Sequence, residues 1–144
     1  FTYIPDALYD ALVLCFFGKA NEILPLAREL TSGKTFMIQS SEPDRAFSLD
    51  PKATRGETIE HAEQSIRAEG VSYTKVLFEV EHGQPFRSME EAVAFFSHYT
   101  KRAVTVEETE ERLTKTDNAD FPLYAPHRRK LGMLIFDAMK AGSR

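Results

Sequence analysis

The longest apolar run of the chain lies close to its beginning. Residues 11–17 read Ala-Leu-Val-Leu-Cys-Phe-Phe and contain no polar group other than the thiol of Cys15. A membrane-spanning helix needs about 20 apolar residues, whereas a run of this length is typical of a β-strand that is buried on both faces. We therefore predict a central, buried strand over residues 10–17. A buried thiol is a poor nucleophile, so Cys15 is expected to be structural.

The pattern then changes to helix and back to strand. Asn21 predicts an N-cap, and apolar residues at helical spacing predict a helix over residues 22–30 that Gly33 ends. A second apolar segment predicts a strand over residues 34–40. This succession predicts a βαβ unit, in which the two strands are parallel and the crossover is right-handed. Turn residues then fill residues 41–56 and predict a long loop.

The middle of the chain contains one helix pattern and one strand pattern. The spacing of Ile59, Ala62 and Ile66 predicts a polar helix over residues 57–69 with a thin buried stripe. Alternation of apolar and polar residues predicts a strand over residues 72–81 with one wetter face.

The last third of the chain adds a helical insertion and a closing strand. Ser88 and Thr105 each begin a capping-box sequence, so two helices are predicted within an insertion at about residues 88–115. Two prolines predict an extended segment over residues 121–127. A final apolar strand is predicted over residues 131–137. The patterns together predict a mixed α/β fold with a sheet of about four strands and flanking helices.

Composition and charge narrow the classes of partner. The chain has 144 residues, which predicts a single domain over residues 1–144 with a substantial core. The formal net charge of -4 gives no basic field for nucleic acid, and no apolar run is long enough to cross a bilayer. One cysteine excludes an internal disulfide and suits a reducing cytoplasm. Neither nucleic acid nor a membrane is therefore expected as a partner.

Candidate ligand-binding residues follow the two parallel strands. Sheets of this class bind ligands at the carboxyl ends of their parallel strands. The alternative is that the aromatic residues belong to the core and that the glycine makes a strand-to-helix turn. Core packing suits Phe16 better, and both interpretations stay open for Phe17 and the two residues after it. The residues at this predicted mouth are Phe16, Phe17, Gly18, Lys19, Gln39, Ser40 and Ser41.

Two other features of the sequence invite a functional interpretation. Residues 127–130 form a basic run that could meet a phosphate or an acidic substrate, although a solvated turn before a strand is the more ordinary interpretation. The four histidines match no metal-binding spacing, so no metal site is expected. Neither G-x-G-x-x-G nor G-x-x-x-x-G-K-[ST] occurs in the chain.

The order of the predicted elements carries a family resemblance. Residues 9–14, Tyr-Asp-Ala-Leu-Val-Leu, resemble the fourth strand of class I S-adenosylmethionine-dependent methyltransferases. Residues 23–38 resemble the helix, the glycine and the fifth strand that follow in that family. Residues 72–81 and 121–136 resemble its closing sixth and seventh strands, which form the antiparallel feature of the sheet. The resemblance implies a partial Rossmann-like sheet that corresponds to the carboxy-terminal half of such an enzyme.

The resemblance also implies what the chain lacks. The family's glycine-rich loop after the first strand and the acidic residue after the second have no counterpart here. S-adenosylmethionine is thus the cofactor implied for a larger enzyme acting on a small molecule, and this chain alone is expected to be inactive. No catalytic or cofactor-binding residue can be assigned.

The resemblance does imply positions for substrate contact. The segment after the fourth strand faces the transferred methyl group and the substrate in that family, which implies a substrate-binding role for Phe17, Gly18 and Lys19. The aromatic helix of the insertion ends in His98 and Tyr99, which could form a lid over the substrate. The alternative for these two residues is a helix packed on the sheet with a polar end.

The resemblance also has a consequence for the edge of the predicted strand at residues 10–17. In the family's strand order, the strand at residues 10–17 pairs with a first strand that this chain does not contain. We therefore expect an exposed apolar edge and a homo-oligomer that covers it. The alternative function is a non-enzymatic α+β module for binding or oligomerisation.

Overall fold

A computed structural model of the chain describes residues 7–53 and 56–139. The sequence predicts one domain, and the structure divides the chain into two compact units. Of the described residues, the first unit contains 7–43, 57–78 and 130–139, and the second contains 44–53, 56 and 79–129. In chain order the elements are β1 (Tyr9–Cys15), α1 (Ile23–Leu30), β2 (Thr31–Ser40), α2 (Ile59–Ala68), β3 (Tyr73–Glu81), β4 (Gln84–Phe86), α3 (Met89–Thr100), α4 (Val106–Glu110), β5 (Thr114–Lys115), β6 (Leu123–Ala125) and β7 (Arg128–Asp137).

The first unit is built on a four-stranded mixed sheet. Its strand order is β1-β2-β7-β3, with β1 parallel to β2 and β7 antiparallel to β2. The helix α1 joins the two parallel strands, as the βαβ pattern predicts. The α/β fold class and the sheet of about four strands are therefore confirmed.

One face of this sheet carries the core of the first unit. Leu14, Met37 and Leu134 are buried on neighbouring strands, and the apolar stripes of α1 and α2 pack in the same cluster. The predicted stripe of α2 is confirmed, since Ile59, Ala62 and Ile66 are all buried. On the opposite face, Val13, Phe36 and Ile135 lie side by side; Val13 is exposed and the other two are half-buried.

The prediction of a central strand buried on both faces is wrong for β1. This strand lies at the end of the sheet order, and β2 is its neighbour within the described part of the chain. In β1, Leu14 is buried and Leu12 is half-buried, because these two side chains lie on the face that packs against α1. The other face of β1 is exposed. Within residues 7–53 and 56–139, β1 is an edge strand with Val13 exposed, as expected, and the homo-oligomer stays a prediction.

The junction between α1 and β2 also differs from the prediction. Gly33 does not end the helix; it lies inside β2, which follows α1 without a loop. The carbonyl oxygen of Asp10 approaches Gly33 so closely that a Cβ there would overlap it. This glycine therefore permits a close strand contact rather than a helix stop.

The second unit contains three strands, two short helices and an aromatic core. Its strands have the order β4-β6-β5, and both pairs are antiparallel. The predicted insertion at 88–115 lies in this unit, where α4 ends at Glu110, earlier than expected. Phe47, Phe86 and Phe96 are buried together in its core. None of its helices, and none in the other described segments, is both long and apolar enough to span a membrane.

Candidate functional site

An apolar groove runs along β1 in the first unit. Its volume is about 400 Å³, and its lining contains no charged side chain. Strand residues from both faces and leucines of α1 contribute to it, because β1 is an edge strand beside its own crossover helix. A groove of this chemistry suits an apolar segment better than a charged nucleotide. The lining residues are Leu12, Val13, Leu14, Cys15, Phe17, Leu26 and Leu30.

The chain leaves β1 through a strained turn. The N–H of Phe16 still donates to the carbonyl of Ile38 at 3.0 Å, yet Phe16 itself has φ +52°. Gly18 also has a positive φ, which a glycine adopts without steric cost. The turn is held from outside by Glu57, whose carboxylate accepts from the N–H of Ala20 at 3.0 Å.

Two expectations at this turn are wrong. Phe16 was expected to suit core packing, and Cys15 was expected to be buried, but both are exposed. Cys15 lies on the face of β1 opposite to Leu12 and Leu14, which are the positions that α1 covers. Phe16 follows the end of β1 in the turn with φ +52°, so its ring does not continue the row of Leu12 and Leu14.

The predicted substrate residues after β1 lie together. Phe17 lines the groove and is 46% exposed, while Lys19 is exposed beside it in sequence. The N–H of Lys19 approaches the carboxylate of Glu22 at 3.4 Å. At the neighbouring strand end, Ser40 is buried and the N–H of Ser41 donates to the carbonyl of Lys130. Phe17, Gly18 and Lys19 therefore stay a prediction as substrate contacts.

The other two predicted substrate residues belong to the second unit. His98 is exposed at the end of α3, and Tyr99 is half-buried. The ring of Tyr99 contacts those of Phe95 and Phe47, with centroids 4.7 and 5.5 Å away. Tyr99 thus packs within its own unit, as the alternative of a packed helix with a polar end describes, and the lid role of both residues stays a prediction.

The basic run at residues 127–130 forms the start of β7, which begins at Arg128, and Arg128 and Lys130 are exposed to solvent. Each of its four side chains contacts a carboxylate. In the second unit, Asp44 lies 3.2 Å from His127 Nε2 and 3.1 Å from Arg129 Nε, and Arg128 lies 3.3 Å from Glu79. In the first unit, Lys130 lies 2.9 Å from Glu42. The charges of this run are therefore paired within the chain, and binding of a phosphate or an acidic substrate stays a prediction.

Sequence reasoning missed a polar cluster around the buried carboxylate of Glu63. This side chain accepts hydrogen bonds from Tyr73 at 2.6 Å, from Lys75 at 2.7 Å and from Arg67 at 3.1 Å. The hydrogen bond from Lys75, reinforced by that from Tyr73, lowers the pKa of Glu63. Burial and the bond to Glu63 raise the pKa of Tyr73. The i,i+4 pair Glu63–Arg67 was the available signal.

A second carboxylate, that of Glu81 at the end of β3, binds residues in and next to β6 of the three-stranded sheet. Its Oε1 accepts from the hydroxyl of Tyr124 at 2.8 Å and from the N–H of His127 at 2.9 Å. The backbone bond from His127, with the bond from Tyr124, lowers the pKa of Glu81. Both clusters hold elements together through hydrogen bonds within one unit. Across residues 7–53 and 56–139, no group of His, Cys, Asp or Glu is arranged to hold a metal ion.

Comparison with known proteins gives a fold but no family. No protein-family model matches the sequence, and no curated protein matches it. A functionally unknown protein from Deinococcus radiodurans R1 has a similar structure, with a TM-score of 0.50 and 13% identity over 94% of this chain and 55% of that one. The YcgJ protein from Bacillus subtilis has a TM-score of 0.41 and 12% identity over 90% of this chain and 65% of that one. The chain thus spans between half and two thirds of the length of these structures.

Proposed function

We propose that this chain is the carboxy-terminal portion of an S-adenosylmethionine-dependent methyltransferase that acts on a small molecule in the cytoplasm. The observation that carries the proposal is the sheet order β1-β2-β7-β3, with β7 antiparallel to β2. By the sequence resemblance these are the fourth, fifth, seventh and sixth strands. An antiparallel seventh strand inserted between its two predecessors is how the class I sheet closes.

The groups present on this chain fit the substrate side of such an enzyme. Phe17, Gly18 and Lys19 follow the carboxyl end of β1, where sheets with parallel strands bind ligands. His98 and Tyr99 end the aromatic helix of the insertion. Methyl transfer depends mainly on proximity and orientation, so an aromatic wall without an acid–base pair is compatible with it.

The chain by itself should not bind the methyl donor. The groove beside β1 is apolar, and its lining includes no carboxylate for a ribose and no glycine-rich loop for an amino-acid group. When bound to the larger enzyme, S-adenosylmethionine supplies the methyl group. Phe17, Gly18 and Lys19 would then position the acceptor.

Calorimetric titration with S-adenosylhomocysteine tests whether the cofactor site requires the rest of the larger enzyme. We expect no measurable heat of binding with the 144-residue chain, and tight binding once the segment encoded upstream of Phe1 is included. In that longer protein, Phe17→Ala should reduce turnover while leaving S-adenosylhomocysteine binding unchanged. Tight binding to the 144-residue chain alone would show that the cofactor site is not missing, and no binding by the longer protein would refute the methyltransferase assignment.

A second candidate function is self-association without catalysis. The observation that favours it is the exposed apolar edge of β1 with its adjoining groove. An edge of this kind is an open template for another strand. In the 144-residue chain alone, either candidate leaves this edge open to a second copy, whereas in the longer methyltransferase the family's first strand would pair with it instead.

A further inference from the structure

The peptide groups of β1 alternate between β2 and the outside. The N–H of Phe16 donates to Ile38 in β2, and the carbonyl of Asp10 points at Gly33 in β2. Because the direction of the peptide groups reverses at each residue of a strand, the even-numbered residues 10–16 direct their N–H and C=O groups at β2. Ala11, Val13 and Cys15 therefore direct theirs away from it.

This edge carries few of the features that protect edge strands. Asp10 is the one charged residue of β1. At the other end of the sheet, β3 carries Lys75, Glu79 and Glu81. Charged side chains on an edge strand discourage pairing with another chain, so β1 is the more open template of the two.

We propose that β1 pairs with β1 of a second copy of this chain, antiparallel, about a two-fold axis at Val13. This register places Val13 opposite Val13 and Ala11 opposite Cys15, so that all three outward N–H and all three outward C=O groups of each copy are paired. A register centred on Leu12 would instead place Cys15 opposite Tyr9. The carbonyl of Tyr9 already accepts from Thr31 Oγ1 at 2.7 Å, so in that register the N–H of Cys15 would have to share this acceptor, which makes the Val13 register the better paired of the two.

The side chains of β1 fit the same register. Val13 is 63% exposed, and the register stacks it on its own copy. Leu12 of one copy lies opposite Leu14 of the other on the side of α1, where the 400 Å³ groove has room for apolar side chains. The two copies of Asp10 lie six strand positions apart, roughly 20 Å, so no like charges meet.

The available area lies at the lower end of the range for specific interfaces. Tyr9, Phe16 and Phe17 are each about half exposed, as is Leu8, and Val13 is more so. With aromatic side chains of roughly 200 Å², covering these positions in both copies removes on the order of 1,000 Å² from water. Specific interfaces begin at about this size. This inference rests on the self-association candidate, to which it gives a partner and a register. In the longer methyltransferase, a first strand would take the place of the second copy.

The first experiment measures mass. Light scattering at micromolar concentration should give twice the 16.3 kDa of one chain for the wild type, and 16.3 kDa for Val13→Lys, which places two ammonium groups opposite each other. Val76→Lys on β3 is the matched control, because Val76 is also exposed, and it should stay dimeric. A monomeric wild type, or a dimer disrupted by Val76→Lys and not by Val13→Lys, overturns the proposal.

The second experiment measures register. In a Cys15→Ser background, Val13→Cys should form a disulfide-linked dimer under mild oxidation, since directly opposite residues of this kind have Cα atoms about 5.5 Å apart, within disulfide range. Ala11→Cys in that background should not, because its two copies lie about 14 Å apart. With Cys15 retained, Ala11→Cys should cross-link to Cys15 of the other copy. A dimer with any other cross-linking pattern refutes the Val13 register while leaving self-association standing.

Discussion

At the scale of single residues, the carboxylate of Glu63 joins three other side chains of the first unit. It is buried on α2 and binds Tyr73 and Lys75 of β3, as well as Arg67 one turn further along its own helix. A buried carboxylate is costly unless donors surround it, and here three donors do. The cluster therefore ties a helix to a strand of the sheet at a fixed position.

Replacing Glu63 by Gln should destabilise the chain and flatten its response to acid. The pKa of Glu63 in the folded chain lies below its ordinary value of 4.5, so its contribution is complete above pH 4.5 and is lost as the pH falls through the lower folded-state pKa. We expect Glu63→Gln to lower the free energy of unfolding by about 1–3 kcal/mol at pH 7. The difference from wild type should shrink below pH 4.5.

Urea unfolding at a series of pH values measures both effects. Glu29→Gln, an exposed position of α1, is the control and should change the free energy of unfolding little at any pH. A constant difference between wild type and Glu63→Gln across the series would contradict the role of the lowered pKa.

For single residues, an apolar side chain in the sequence did not always correspond to a buried side chain in the structure. The buried stripe of α2 was predicted correctly because helical spacing identifies a face. The burial of residues 11–17 was predicted incorrectly. A continuous apolar run has the same sequence pattern whether the second face of the strand is covered by its own chain or exposed. Glu63 was missed for a related reason: its partners Tyr73 and Lys75 lie on another element, and the sequence does not indicate which helix meets which strand.

At the scale of elements, the predicted caps at Ser88 and Thr105 are confirmed. The predicted N-cap at Asn21 is wrong, because Glu22 holds that position in α1 and makes no side-chain cap hydrogen bond. Ser88 was predicted to cap a helix, and its Oγ accepts from the N–H of Glu91 at 3.1 Å. The carboxylate of Glu91 accepts from Arg87 N–H. At Thr105 the reciprocal box with Glu108 is complete.

Removing the cap at Ser88 should weaken α3 and the aromatic core that it carries. Ser88→Ala leaves the N–H of Glu91 without its acceptor and should cost about 1 kcal/mol in the free energy of unfolding. Ser88→Asp should retain most of the wild-type stability, because a carboxylate also caps a helix. Thermal unfolding followed by circular dichroism measures this, with Ser72→Ala at an exposed loop position as the control. Equal stabilities of the Ala and Asp variants would argue against a capping role.

The small sheet of the second unit was the main element that the sequence did not predict. Strands β4, β5 and β6 are two or three residues long, too short to show an alternation. Pro85 in β4 argued against a strand, and it is tolerated because β4 lies at the edge of its sheet. Short strands of this kind are specified by the chain around them rather than by their own residues.

At the scale of the whole molecule, the succession of elements predicted the sheet. A βαβ unit requires a parallel pair, and β1 and β2 are that pair. The position of β7 between β2 and β3 was not predicted, since no pattern of residues distinguishes it from a position at the sheet edge. The exposed edge of β1 is where another strand can pair with this sheet. That strand would be either the first strand of a longer protein or β1 of a second copy.

Amide hydrogen exchange along β1 should differ between the monomer and the dimer. In dilute solution, the N–H groups of Leu12 and Leu14 should exchange slowly because they face β2, whereas those of Ala11, Val13 and Cys15 should exchange quickly. At high concentration, pairing with a second copy should slow the fast set. Exchange resolved by NMR at two concentrations measures this alternation.

The amide of Met37 provides the internal reference for that measurement. Met37 lies on β2 between Leu14 and Leu134, so its exchange should be slow at both concentrations. Uniformly slow exchange along β1 in dilute solution would contradict the assignment of an outward-facing set. Fast exchange at Val13 in a sample that light scattering identifies as a dimer would place the interface elsewhere, because the central residue of the pair is the one whose N–H should be most completely protected.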